Sequence, residues 1–211
     1  MAFESLFQKY DRLVLFDTET TGLQFSRDEI IEFAAVVVEL VNGVPTITRE
    51  YDELVALSPG GFVPPKITEL TGISTQDLRE KGLPKTRVCR DIAELIAGNT
   101  LLLAYNAHFD LSFLFYMLLR HGDPAILKGK DKLDLLTYTR IAVHTLISSA
   151  APLKPTASPE RWSTPTGQWM TSLPPLPLWR KWRRKRTTLC VMLTFLVTTP
   201  NTASTAKPSV P

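Results

Sequence analysis

The sequence predicts an α/β fold, a mixed sheet with helices packed on its faces, over the first 139 of 211 residues. Three observations predict it. Apolar, β-branched runs come first, and within Val88 to Ala97 the apolar residues fall three and four apart. From residue 100 strand-like and helix-like segments alternate, which suits a layered sheet and helix architecture. Finally, composition changes sharply near residue 139. Residues 1–139 hold 14 Lys+Arg and 20 Asp+Glu, a net charge of −6, whereas residues 140–211 hold 10 Lys+Arg and one acid, Glu160, a net charge of +9. The second segment also carries 10 of the 16 prolines and all four tryptophans. Proline removes helical hydrogen bonds, so residues 140–211 are expected to form an irregular tail on an ordered domain of residues 1–139.

The elements follow in order. Arg12 to Asp17 (RLVLFD) is an apolar run ending in a carboxylate, and Glu29 to Leu40 (EIIEFAAVVVEL) is a longer β-branched run; both predict strands. Asn42-Gly43 tolerates the positive φ of a tight hairpin, which makes Thr46 to Val55 an antiparallel third strand. Ser74-Thr75-Gln76-Asp77 supplies capping residues for a short helix. Val88 to Ala97, closed by Gly98, predicts a second helix. Thr100 to Tyr105 is an apolar strand, Phe109 to His121 a helix closed by Gly122, and Lys132 to Thr137 a fifth strand. The expected order is βββααβαβ.

Composition narrows the classes of function. At 23.7 kDa, 44% hydrophobic and 21% charged, the chain fits one globular domain with a tail and excludes two large lobes, collagen-like repetition and wholesale disorder. Cys89 and Cys190 permit one disulfide at most and lack zinc-ligand spacing, so reduced thiols are expected. Met1 to Tyr10 includes Glu4 and has no long apolar core. The longest apolar run, Leu189 to Val197, is about half the ~20 residues of a membrane span. A cytoplasmic protein without a membrane partner is the expectation.

The acids carry the chemistry. In open α/β sheets ligands gather at the carboxyl ends of strands. Asp17 and Glu19, one residue apart there, share a face if the strand continues through them. Asp110, in Asn106-Ala107-His108-Phe109-Asp110 after the fourth strand, reaches the same edge. Oxygen ligands without thiols suit Mg²⁺ or Mn²⁺, and a pair of such ions ~4 Å apart can activate water against a phosphodiester. A structural alternative stands beside this reading. D-T-E-T-T-G is also a plausible polar turn with Gly22 at positive φ, and Asp110 a first-turn acid that favours the helix dipole.

FDTETTGL (Phe16 to Leu23), ITELTGIS (Ile67 to Ser74) and NAHFD (Asn106 to Asp110), in that order and at those separations, resemble the DnaQ-like (DEDDh-type) 3′-to-5′ exonucleases found as proofreading subunits and domains of bacterial DNA polymerase III. The resemblance spans residues 11 to about 139. It implies a ribonuclease H-like fold and two-metal hydrolysis at the 3′ end of single-stranded DNA or RNA, with a DNA polymerase as a candidate partner. Carried over by motif, Asp17, Glu19 and Asp110 are implied metal ligands. Thr20, Gly22 and Leu23 would line the terminal nucleotide, with His108 and Phe109 beside it. Phe109 and Leu23 read equally as core residues, and His108 as an exposed residue at a helix start.

The third motif of that family, a histidine followed five residues later by an aspartate, is absent. After Asp134 the sequence offers only Glu160 and His144. The expected domain lacks its final helix, and its catalysis is expected to be impaired or lost. Translation in a shifted reading frame after about residue 139 explains the composition. The codons of Trp169-Met170-Thr171, read from each third base, encode Asp-Asp. Thr164 to Thr171 in that frame permits Thr-His-Arg-Ala-Val-Asp-Asp, which restores the missing spacing. Sequencing the coding DNA across codons 135 to 170 tests this, and an unbroken frame would refute it. The rival reading of Trp179 to Arg186 (WRKWRRKR) is a basic, aromatic patch for single-stranded nucleic acid or an anionic surface.

Overall fold

The computed structural model describes residues 3–137. They form one five-stranded sheet: β1 (Arg12–Thr20), β2 (Ile30–Val41), β3 (Val44–Leu54), β4 (Thr100–Ala104) and β5 (Asp131–Asp134), in the spatial order β3-β2-β1-β4-β5. The β1–β2 and β2–β3 pairs are antiparallel; β1–β4 and β4–β5 are parallel. Four helices accompany it, α1 (Pro65–Thr71), α2 (Thr75–Lys81), α3 (Lys85–Leu95) and α4 (Ala107–His121). The mixed sheet and every expected strand are present, but the fifth is shorter than the expected Lys132 to Thr137: it ends at Asp134, and residues 135–137 are helical. The order differs by one helix, because the stretch containing Ile67 to Thr71 winds into α1 between β3 and α2. Pro65 at the first helical position and Gly72 at φ 76° bound this helix, and its seven residues include none that is buried. Ile67 packs, partly buried, against Ile31, Val63, Ile73 and Leu78, which is too little for a helical periodicity to show in the sequence.

Local chemistry explains the boundaries. Asn42 and Gly43 adopt φ 53° and 79°, the hairpin turn expected of that pair. Ser74 caps α2, its hydroxyl accepting from the Asp77 amide while the Asp77 carboxylate accepts from the Ser74 amide. The strand β1 runs three residues past Asp17, paired with β2 as far as Thr20↔Ile30, with a register shift between Glu19 and Thr20.

Apolar residues fill both faces of the sheet. On one face Val14, Phe16, Phe33, Ala35 and Leu102 pack against α3 and α4 through Val88, Ile92, Phe113, Leu114 and Leu118. On the other, Leu13, Leu15, Val36, Val38, Leu101 and Leu103 form a second cluster with Tyr10 and Leu135. The near-continuous apolar runs in β1, β2 and β4 follow from this two-sided burial. The expected tail (140–211), His144, the shifted-frame segment and the basic patch at Trp179 to Arg186 lie outside the described residues.

Candidate active site

Alternation along β1 sets the site. Leu13 and Leu15 belong to one cluster and Val14 and Phe16 to the other, so period two carries Asp17 and Glu19 to the side of Leu13 and Leu15. Thr18 goes to the side of Phe16 and α4. Asp17 and Glu19 therefore share a face, as an extended continuation of the strand requires. Both are half-buried, whereas Thr18 and Thr20 are buried.

Asp110 arrives from the opposite face. It sits in the first turn of α4 and is 2% exposed. Its Oδ1 accepts from the Thr18 backbone N–H at 2.9 Å and from Thr18 Oγ1 at 2.7 Å. Pairing of β1 with β4 stops at Leu15↔Leu103, so beyond that point no strand among the described residues pairs with the β4 side of β1. The Asp110 carboxylate takes up the amide that β4 does not reach. Thus α4 is bonded to the residue between the two acids of β1. Burial pushes the Asp110 carboxyl up to about 7, the charge of Asp17 adds to the effect, and the Thr18 bonds oppose it. Asp17 is accordingly near enough to influence the ionisation of Asp110.

The remaining expected residues surround this edge unequally. Thr20 Oγ1 donates to the Gly22 carbonyl at 2.6 Å, closing the turn after β1. Gly22 does not adopt positive φ, which corrects the turn reading. Glycine is suited there by space, since a Cβ would run into the Asp28 carboxylate. Leu23 is 81% exposed and is no core residue. Phe109 is half-buried, packs on the main core and meets the Phe113 ring at 4.9 Å between centroids. His108 is exposed.

Two neighbours were not singled out in the sequence. Glu32 is the cross-strand partner of Glu19, a relation that appears only once the β1–β2 register is known. Asp134, at the end of β5, accepts from the backbone N–H groups of Asn106 and Ala107 at the start of α4.

The donor chemistry here is that of a hard divalent cation, carboxylates without thiolates. Their convergence is incomplete: among the described residues no three Asp, Glu, His or Cys side chains gather closely enough to hold a metal ion. By strand alternation Asp17 and Glu19 fall on one face of β1, while Asp110 is bonded to Thr18 from the side of α4. Among the described residues, too, no helix is long and apolar enough to cross a membrane.

Comparison with known proteins bears on the family and the fold. An exonuclease family model of the RNase T type matches residues 14–152, running past the compositional boundary at 139. The chain is 38% identical over 131 residues to the 3′-5′ exonuclease DinG of Bacillus subtilis, which covers 62% of this chain and 13% of DinG. It is 33% identical over 127 residues to the PolC-type DNA polymerase III of Streptococcus sanguinis, which covers 60% of this chain and 8% of the polymerase. The chain thus spans a small fraction of both relatives. Escherichia coli exonuclease I, solved in complex with a dT13 oligonucleotide, superposes with a TM-score of 0.57 at 24% identity over 63% of this chain and 30% of its own. That likeness shows a shared ribonuclease H-like fold. The chain belongs to the exonuclease family.

Proposed function

We propose that this domain removes nucleotides from the 3′ end of single-stranded DNA or RNA, with Asp17, Glu19 and Asp110 as its catalytic acids and metal ligands. The observation that carries the proposal is the Asp110–Thr18 pair of bonds, which ties the acid of α4 to the strand bearing the other two. Mg²⁺ or Mn²⁺ bound there would supply a Lewis acid and an activated water. Asp17, Glu19 and Asp110 would hold the ion, Asp17 standing near enough for its charge to bear on Asp110. The protein's own share is to keep the Asp110 carboxyl buried and oriented, and to present Thr20, Gly22, Leu23, His108 and Phe109 at the strand edge for the terminal nucleotide. A polymerase partner is suggested by the PolC-type relatives.

The sequence after Asp134 lacks the histidine and aspartate of the third motif. Loss of a positioned general base costs about 10²- to 10⁴-fold in rate, so the chain is proposed to be impaired or inactive as a catalyst. The test is mononucleotide release from a 5′-labelled single-stranded oligonucleotide with Mn²⁺, with EDTA, and with Asp17→Ala. Slow release that requires Mn²⁺ and vanishes in the variant supports the proposal. Release that survives EDTA or Asp17→Ala overturns it. Retention of the strand without cleavage, weakened by salt and indifferent to Asp17→Ala, would instead favour a silent nucleic-acid-binding protein.

A further inference from the structure

We infer that Asp134, at the end of β5, is a positioning residue for Asp110: its carboxylate caps α4 from a neighbouring strand and thereby fixes where that helix begins. The inference deepens the proposed function and rests on Asp110 being a working acid there.

The start of α4 is unusual. Its N-cap residue, Asn106, lies at φ 60°, ψ 52°, and the Asn106 side chain makes no capping bond. A side chain that caps its own helix ordinarily belongs to a residue in the extended region, from which its oxygen folds back onto the second or third amide. Left-handed backbone is uncommon for a residue other than glycine, and the first amides of a helix need acceptors from elsewhere. Asp134 supplies one. Its Oδ1 accepts from Asn106 N at 3.1 Å and Ala107 N at 3.4 Å. Because β4 and β5 are parallel with Ala104 opposite Asp134, this carboxylate stands beside the turn that leads from β4 into α4.

Asp134 is itself fixed. Oδ1 also accepts from Leu136 N at 3.1 Å, and Oδ2 from Thr137 Oγ1 at 2.8 Å. Its carboxylate joins the strand end of β5 to the first residues of α4, and Asp110 lies one helical turn beyond Asn106. The first turn of α4 is consequently held twice, by Asp134 from β5 and by Thr18 from β1. If the Asp134 contact is lost, the left-handed turn at Asn106 relaxes and Asp110 moves off Thr18. A carboxylate misplaced by about an ångström is a poor ligand, and outer residues that orient ligands commonly account for 10- to 100-fold in metal affinity.

The test compares Asp134→Asn, Asp134→Glu and Asp134→Ala in the full chain. Asparagine keeps the Oδ1 acceptor in place without the charge. Glutamate keeps the charge and moves the acceptor by one methylene. The first readout is hydrogen exchange at the Thr18 amide, referenced to the amides of Leu13 to Phe16 in the same strand, and it requires no metal. The second is Mn²⁺ affinity by calorimetry. The expected result is faster Thr18 exchange and about 10- to 100-fold weaker Mn²⁺ binding in the alanine and glutamate variants, with asparagine close to wild type in both. The reverse order, glutamate preserved and asparagine impaired, would show that charge and not position matters and would overturn the inference, as would indifference to all three substitutions. If the alanine variant does not fold, the asparagine and glutamate pair decides alone. Should wild type bind no Mn²⁺, the metal reading fails, while Thr18 exchange still decides for or against Asp134.

Discussion

A buried carboxylate whose main partner is a threonine carries a cost that reveals its use. Asp110 ionises in the unfolded chain near 3.8 and in the folded one at about 7, chiefly because burial disfavours the charged form. Between those values the folded state holds a proton that the unfolded state has released, so metal-free stability is expected to fall as pH rises from about 4 to about 7 and to level off above. The loss is bounded at about 4 kcal/mol, from roughly three pH units at 1.36 kcal/mol each. Asp110→Asn, which can still accept from Thr18, should remove most of this slope and be the more stable protein at pH 8 in EDTA. Urea midpoints for both proteins across that range check it, and parallel pH profiles would contradict it. A cation beside Asp110 favours the ionised form, so the arrangement is costly when empty and eased by positive charge.

Elements are held by contacts that join distant parts of the chain. Lys85, the first residue of α3, pairs with Glu29 at 2.9 Å, with side-chain exposures of 9% and 21%, and donates to the Ala56 carbonyl at 2.7 Å. Burial alone would raise the Glu29 carboxyl, but Lys85 and the Ser58 amide hold it below its ordinary range. Lys85→Ala leaves that carboxylate half-buried without its cation and should cost about 3 kcal/mol, whereas Lys85→Met with Glu29→Gln should cost less. Denaturant midpoints separate the two, and a single variant no worse than the double would count against this tie. At α2, Ser74→Ala removes one half of the capping box and should cost about 1 kcal/mol. The hydrogen bond from Ser74, then Lys81, pulls Asp77 down to about 2. Its contribution is therefore present above about pH 4 and disappears as pH falls towards 2, which thermal unfolding of Asp77→Asn and wild type should show by converging in acid.

The whole molecule shows which features a sequence carries by itself. The strands were legible because β1, β2 and β4 are buried on both faces, which enforces long apolar runs, and because Asn42-Gly43 and Ser74-x-x-Asp77 have chemistry that works locally. The helix α1 was not, since none of its residues is buried. Asp17, Glu19 and Asp110 were legible as acids at one strand edge. The placement of Asp110 across the strand on Thr18 was not, because side-chain alternation assigns a face only once the helices are assigned theirs. Glu32 and Asp134 depend on register and on the left-handed turn at Asn106, neither of which has a local signal. The central claim, that this strand edge is built for a divalent cation, is tested most directly by titrating the isotope-labelled protein with Mn²⁺ and following amide broadening. The expected outcome is early loss of the signals of residues 17 to 19 and 110, sparing Asn42 and Gly43 at the far hairpin, with the effect abolished in Asp17→Ala. Uniform broadening, or broadening unchanged in that variant, would contradict it.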